Sequence, residues 1–184
     1  MIFGLRGTLL ERLHLSKVPL THPPSTIAVG MHKVWIRPGV NEAIDELHQH
    51  WDLAVWSSTT ARNTMPLMDA VFGERRGKFS FVWTREQTMP DEYRRTGAHD
   101  GEDENATIKD LSLVWRAFPQ YTPQRTVLID DTTSKAKRNA DNFLWMRSYC
   151  DNLDDKKGLA ELLKVVSEKL LPSSDVRLVL PLII

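Results

Sequence analysis

The chain has 184 residues, of which 41% are hydrophobic and 26% charged, which suits one compact domain with a sizeable core rather than two independent ones. Its 24 Lys and Arg side chains balance its 24 Asp and Glu side chains, so no net charge draws the protein to nucleic acid or to an anionic membrane. No apolar run approaches the roughly 20 residues of a membrane span, and the opening is too short for a signal peptide. The single cysteine, Cys150, excludes an internal disulfide and suits a reducing, intracellular compartment.

Short apolar runs rich in Val, Ile, Leu and Trp predict three buried strands, at residues 1–3, 53–56 and 126–129. Helical spacing of apolar residues predicts four helices, at residues 40–51, 61–72, 108–118 and 159–171. Strands that alternate with helices favour an α/β fold with a mostly parallel sheet and helices on both faces. In such a fold the functional side chains follow the carboxyl ends of the strands.

Two segments interrupt this alternation. Residues 14–34 are rich in proline and predict a loop or flap between the first strand and the first helix. Residues 85–107 are polar, acidic and without periodicity, so we expect a surface loop there. We therefore predict one domain over residues 1–171, which includes both segments, and an apolar extension over residues 172–184.

Five short motifs occur in a fixed order along the chain. They are Arg37-Pro38-Gly39 before a helix, Trp56-Ser57-Ser58 at a strand end, Lys109-Asp110-Leu111-Ser112, Val127-Leu128-Ile129-Asp130-Asp131, and Asp141-Asn142 before an acidic turn at residues 151–155. In this order the chain resembles the CTD-phosphatase-like, or NLI-interacting-factor-like, branch of the haloacid dehalogenase (HAD) superfamily. The resemblance implies a HAD-like α/β fold and a site for Mg²⁺-assisted phosphoryl transfer through an aspartate.

The motif after the first strand departs from the pattern of that family. Members carry Asp-x-Asp-x-Thr, in which the first aspartate attacks phosphorus and the second handles the proton of the leaving group. The stretch here reads Gly4-Leu5-Arg6-Gly7-Thr8, with Gly4 and Arg6 in the two carboxylate positions. Glycine offers no nucleophile, and the fixed positive charge of Arg6 disfavours a cation at this place. We therefore expect no catalytic residue, no enzymatic activity, and neither Mg²⁺ nor any other cofactor.

The resemblance also implies remnants of a phosphate site and of a metal site. Ser57 matches a hydroxyl that holds a phosphate oxygen, Lys109 matches a lysine that neutralises it, and Asp130 and Asp131 match an acidic pair that binds Mg²⁺. Without the ion this pair needs a partner, because uncompensated charge in a partly buried cleft is costly. We predict that Arg6 supplies charge-assisted hydrogen bonds to Asp130 or Asp131. Loop capping by the two aspartates is the alternative.

Local features suggest partners. The apolar tail from Val176 to Ile184 either adds a strand or docks on a neighbour, and we favour docking. Six basic residues offer RNA contacts, although such clusters are more often solvated: Arg75, Arg76, Lys78, Lys135, Lys137 and Arg138.

The function that we favour is a structural or protein-binding subunit of a larger assembly, for which a ribonucleoprotein such as a mitochondrial ribosome is a suitable setting. The compartment is then mitochondrial or nuclear, with the mitochondrion preferred. Two alternatives stay open. One is a metal-dependent phosphatase in which Asp130, Asp131 and Lys109 activate a water, and the other is a phosphopeptide-binding module.

Overall fold

The computed structural model describes residues 1–95 and 105–182. Within them the strands and helices, in chain order, are β1 (Ile2–Phe3), β2 (Leu10–His14), β3 (Ile27–Val29), β4 (His32–Ile36), α1 (Val40–Leu47), β5 (Leu53–Trp56), α2 (Ala61–Phe72), β6 (Phe79–Trp83), β7 (Met89–Pro90), α3 (Glu92–Arg95), β8 (Thr107–Ile108), α4 (Leu111–Ala117), β9 (Leu128–Asp130), β10 (Phe143–Trp145) and α5 (Gly158–Val165). Short 3-10 turns connect many of them. No helix in these two ranges has the length and apolar character needed to cross a membrane.

A five-stranded parallel sheet forms the centre, in the order β10-β9-β1-β5-β6. Its three inner strands are the three that the sequence predicts, and each is buried because both faces of the sheet are covered. Side chains alternate between the faces. Those on one face, such as Phe3 and Val55, belong to a cluster with residues of α1, α2 and α5. Those on the other, such as Ile2 and Trp56, pack against α4. The predicted α/β fold, with a mostly parallel sheet and helices on both faces, is therefore confirmed.

The helices follow the predicted apolar spacing, with differences at their ends. The helix α2 has the predicted bounds, whereas α1 ends at Leu47, earlier than expected. The helix α4 begins at Leu111 because the residues before it form β8, and the Asp110 carboxylate accepts a hydrogen bond from the Ser112 amide at its start. Beyond α5 the chain continues as one π-helical turn, Val166–Leu170.

The segment predicted as a loop or flap, residues 14–34, consists of a long connection at residues 15–26 and parts of three strands. Strands β2, β4 and β3 form a three-stranded antiparallel sheet in that order. The proline-rich connection lies against it, because the buried Trp35 donates its indole N–H to the Pro23 carbonyl oxygen at 3.0 Å. We call residues 10–36 the flap from here on.

The polar segment at residues 85–107 is also more ordered than predicted where it is described. Strands β7 and β8 pair antiparallel, with Met89 opposite Ile108. Between them, the buried Asp91 forms an ion pair with Lys137 at 2.5 Å. The acidic residues at 96–104 lie outside the described residues.

The apolar tail packs on this chain's own core. Val176 and Leu180 are buried in the same cluster as α1 and α5, within short 3-10 turns and not in a strand. Leu178 points the other way and is 70% exposed. Docking of the tail on a partner stays a prediction, and two of its apolar side chains already have an intramolecular role.

Candidate functional site

The carboxyl ends of the central strands open into a cleft of about 380 Å³. Its walls come from the loops after β1, β5 and β9 and from the segment after β8. Parallel strands place these ends at one edge of the sheet, so residues distant in sequence meet there. The predicted site residues that line the cleft are Arg6, Ser57, Lys109, Asp130 and Asp131.

A buried ion pair lies at the centre of the cleft. The Lys109 ammonium contacts the Asp130 carboxylate, with Nζ 2.5 Å from Oδ2, and the two side chains are only 1% and 4% exposed. The other carboxylate oxygen of Asp130 accepts a hydrogen bond from the Thr132 amide at 3.0 Å. The charges of Lys109 and Asp130 therefore balance one another without any third group.

Gly4 lies directly beneath this pair. A Cβ atom built on Gly4 would lie 2.5 Å from Asp130 Oδ2 and 2.7 Å from Thr8 Oγ1, closer than real Cβ contacts. The Asp130 carboxylate thus reaches into the space where a side chain at position 4 would begin. The Thr8 hydroxyl is buried there and has no hydrogen-bond partner within the described part of the chain.

The predicted pairing of Arg6 with Asp130 or Asp131 is wrong. The partner of Arg6 is Glu11, whose two carboxylate oxygens accept hydrogen bonds from Nε at 2.9 Å and from Nη2 at 3.3 Å. Gly7 turns the chain back with a positive φ of 82°, so the start of β2 lies beside Arg6. Glu11 is only 2% exposed and needs a cation, whereas Lys109 already neutralises Asp130. The sequence gives no direct sign of this, since Glu11 lies in an otherwise ordinary strand.

Asp131 also has neutral partners rather than a cation. Its carboxylate accepts hydrogen bonds from the hydroxyls of Ser148 at 2.7 Å and Thr132 at 3.2 Å. Burial, together with the nearby charge of Asp130, raises the pKa of Asp131 above its ordinary value. A side chain at Gly7 would collide with the Asp131 carboxylate, so the loop after β1 packs tightly against it. Asp131 therefore fixes the shape of this loop.

The hydroxyl of Ser57 takes part in local hydrogen bonds after β5. It accepts one from the Thr59 amide at 3.2 Å and lies 3.1 Å from the Thr59 hydroxyl. Arg85, which the sequence did not mark as a site residue, also lines the cleft and donates to the Ser58 carbonyl oxygen at 2.9 Å. Since Arg85 follows an edge strand and belongs to no motif, only the fold brings it to the site.

Five of the six basic residues proposed for RNA contacts form ion pairs within the chain. Asp45 binds both Arg75 and Lys78, which lowers its pKa to about 2. The other pairs are Arg76–Asp69, Lys137–Asp91 and Arg138–Asp110. The sixth, Lys135, is buried and donates to the Thr107 hydroxyl at 3.0 Å. These clusters are therefore largely neutralised on the protein surface.

The cleft fits Mg²⁺ poorly. This ion prefers octahedral oxygen ligands, and the nearest carboxylates are already held, Asp130 by Lys109 and Asp131 by Ser148. Among the residues that the structure describes, no three or more His, Cys, Asp or Glu side chains lie close enough to hold a metal. The cleft also lacks a thiolate, because burial and the neighbouring Glu11 raise the pKa of Cys150 to about 12.

Two solved structures of Fcp1, described as an RNA polymerase II CTD phosphatase, are similar in fold to this chain. One, from fission yeast and bound to beryllium fluoride, superposes with a TM-score of 0.52 at 15% sequence identity, over 92% of this chain and 50% of that chain. The other superposes with a TM-score of 0.52 at 16% identity, over the same shares. The present chain thus spans about half the length of these chains.

At the level of sequence, no curated protein matches the chain. A family model does match, that of the NLI interacting factor-like phosphatases, over residues 2–177. The match covers all the elements that build the cleft, from β1 to α5. The chain therefore belongs to the NLI interacting factor-like phosphatase family.

Proposed function

We propose that this chain is a catalytically inactive member of its phosphatase family and serves as a structural or protein-binding subunit of a larger assembly. One observation carries the proposal. Position 4, at the end of β1, is a glycine, and the Asp130 carboxylate lies 2.5 Å from where a Cβ atom on it would be. Position 4 therefore carries no carboxylate, and the carboxylate of Asp130 fills part of the space that a side chain there would need.

The remaining acids of the cleft are poor substitutes for the missing nucleophile. An attacking carboxylate must be free to approach phosphorus. Asp130 is held by Lys109 and by the Thr132 amide, and Glu11 is held by Arg6. Asp131 is held by the hydroxyls of Ser148 and Thr132. These contacts support the absence of aspartyl-phosphate chemistry.

The same contacts favour a protein that works without Mg²⁺. A divalent ion would have to displace the Lys109 ammonium from Asp130 or the Ser148 hydroxyl from Asp131. Glu11, the other nearby acid, is likewise held by Arg6. We therefore extend the proposal to a subunit that needs no cofactor.

A mitochondrial ribonucleoprotein, such as a ribosome or one of its assembly intermediates, is the setting that we propose. The intramolecular ion pairs of the basic clusters favour protein contacts over RNA contacts as the means of association. Phosphatase activity on the RNA polymerase II CTD, as described for Fcp1, is not what we propose for this chain. Its β1 motif lacks both carboxylates.

A phosphopeptide-binding module is the second candidate, and the composition of the cleft favours it. Ser57, Arg85 and Lys109 line one opening, and hydroxyls with cations are the usual partners of a phosphate group. The pairing of Lys109 with Asp130 weighs against it, since the ammonium already has an anion.

Turnover of an aryl phosphate tests the proposal. The purified chain, its Asp130→Asn variant and an active member of the family are assayed with p-nitrophenyl phosphate and Mg²⁺. We expect the wild-type chain and the variant to match the protein-free background. Mg²⁺-dependent turnover that disappears in Asp130→Asn would show instead a phosphatase that activates water directly, and would end the proposal.

Sedimentation of the native protein from mitochondria tests the second half of the proposal. We expect the chain to migrate with a large particle and, after RNase treatment, to stay bound to protein components of that particle. Migration as a free monomer would contradict a role as a subunit.

A further inference from the structure

The flap carries a positive charge that the chain as a whole does not show. The flap contains Arg12, Lys17 and Lys33, and its one acid, Glu11, already pairs with Arg6. Since the whole chain is neutral, the compensating acids lie elsewhere. Charge is thus segregated on the surface, which favours electrostatic complementarity with an acidic partner.

The cations of the flap differ from the other basic clusters in their partners. Arg75, Lys78 and Arg138 each face a carboxylate of this chain. None of Arg12, Lys17 and Lys33 has a carboxylate at ion-pairing distance within residues 1–95 and 105–182. The charges of Lys17 and Lys33 are therefore available to an external group, whereas Arg12 lies on the other face of the sheet, opposite the buried Val34.

The same part of the molecule exposes large apolar side chains. Leu15 and Met31 are 42% and 59% exposed and are neighbours, because the Leu15 amide donates to the Met31 carbonyl oxygen at 2.9 Å. Lys33, opposite Leu13 in the register, lies on the same face of the sheet as this pair. Leu20, in the following connection, is fully exposed. Exposed apolar side chains grouped on one surface are typical of a protein-binding site, and an unpaired lysine on the same face favours an acidic partner.

We propose that the flap docks an acidic, partly apolar segment of a partner protein. This inference rests on the proposed function and names the surface and the kind of partner for it. Single-stranded RNA is a poorer fit because it stacks its bases on exposed aromatic rings, and the flap's Trp35 is buried against Pro23. An anionic membrane is a poorer fit because its recognition typically uses roughly four to eight clustered cations.

Titration with three probes tests this inference. The first is a fluorescein-labelled peptide of Glu and Asp interrupted by Leu and Phe, the second is poly(U) RNA, and the third is vesicles containing phosphatidylserine. The wild-type chain is expected to bind the peptide best, and Lys17→Glu/Lys33→Glu to weaken that binding at least tenfold. Leu20→Ser is expected to weaken it about threefold, by the loss of one apolar contact.

Matched variants separate the flap from general effects of charge and hydrophobicity. Lys164→Glu/Lys169→Glu makes the same change in charge on the exposed side of α5 and its π-helical turn, and Leu178→Ser removes an exposed leucine elsewhere. Both are expected to bind the peptide as the wild-type chain does. Thermal unfolding of every variant shows that it is folded.

Two results would overturn the inference. One is an equal loss of peptide binding in the flap variant and in the α5 variant. The other is tighter binding of the wild-type chain to poly(U) or to the vesicles than to the peptide. Either result can occur while aryl phosphate turnover stays at background. The docking role of the flap can therefore be disproved while the proposed inactivity of the cleft stands.

Discussion

The residues on the two sides of the cleft match the motifs of the family to different degrees. On the β1 side, Gly4 and Arg6 stand in the two carboxylate positions, and Arg6 pairs with Glu11 of β2. On the β9 side, Lys109 and Asp130 are present and form a buried ion pair. Both sides hold an ion pair, but Arg6 of the first pair is half exposed and the second pair is buried. The Asp130 carboxylate extends towards Gly4, which has no side chain. The same carboxylate neutralises the Lys109 ammonium, so Lys109 needs no external anion.

Breaking the buried pair on the β9 side should have the largest effect. Lys109→Met leaves the carboxylate of Asp130 buried without a cation, so we expect a loss of about 3–5 kcal/mol in the free energy of unfolding. Urea denaturation measures it. Adding Asp130→Asn removes the unpaired charge and should restore more than half of the loss. A loss below about 1 kcal/mol in the single variant would mean that the pair is not a buried charge pair.

Breaking the pair on the β1 side should have a smaller effect. Arg6 is half exposed, and Glu11 keeps one hydrogen bond from the Arg12 amide at 2.8 Å after Arg6→Ala. We expect a loss of about 1–3 kcal/mol, because a hydrogen bond to a buried charge is removed. The matched control is Arg76→Ala, whose partner Asp69 is 66% exposed. That control should lose less than about 1 kcal/mol, and an equal loss in the two variants would contradict the burial of Glu11.

The pH dependence of stability tests whether the pKa of Asp131 is raised in the folded protein. Because its folded-state pKa is raised, the folded protein holds this proton more tightly than the unfolded chain, and ionised Asp131 reduces stability at neutral pH. Asp131→Asn keeps an acceptor for the Ser148 hydroxyl and should raise the Tm at pH 7. This gain should shrink as the pH falls through the raised pKa and vanish below the ordinary carboxyl range. Thermal unfolding across that range tests it, and a gain that grows on acidification would contradict the raised pKa.

The smallest effect is expected outside the cleft. Removing the paired cations with Arg75→Ala/Lys78→Ala should leave the weak background binding of poly(U) nearly unchanged, because both cations already pair with Asp45. Filter binding at low salt measures it. A clear loss of RNA binding in this variant would restore these clusters as nucleic-acid contacts.

The central sheet could be predicted from the sequence because its strands are buried on both faces and read as continuous apolar runs. Leu53–Trp56 is such a run, and so is Leu128–Asp130 up to its last residue. The sequence predicts a loop or flap at residues 14–34 but not the strands within it, because they are only partly buried and the nearby prolines favour a loop. Prolines are compatible with the structure because they lie in the connection between strands and not within them.

The sequence predicts which residues line the cleft better than it predicts their hydrogen-bond and ion-pair partners. Motif order pointed to Lys109 and Asp130, and both line the cleft. The partner of Arg6 was predicted wrongly because a pairing across a turn depends on the direction in which the chain leaves Gly7. Arg85 has no motif at all and reaches the cleft only through the parallel pairing of β5 with β6. Sequence patterns thus identify strand ends but do not determine which charges meet there.

Titration of inorganic phosphate into the purified chain tests the central claim most directly, namely that Asp130 takes the place of an external anion at Lys109. Isothermal titration calorimetry should show no binding of phosphate at millimolar concentration to the wild-type chain. The Asp130→Asn variant, in which Lys109 loses its anion and keeps a neutral hydrogen-bond partner, should gain such binding. Phosphate binding by the wild-type chain that Asp130→Asn leaves unchanged would contradict the account.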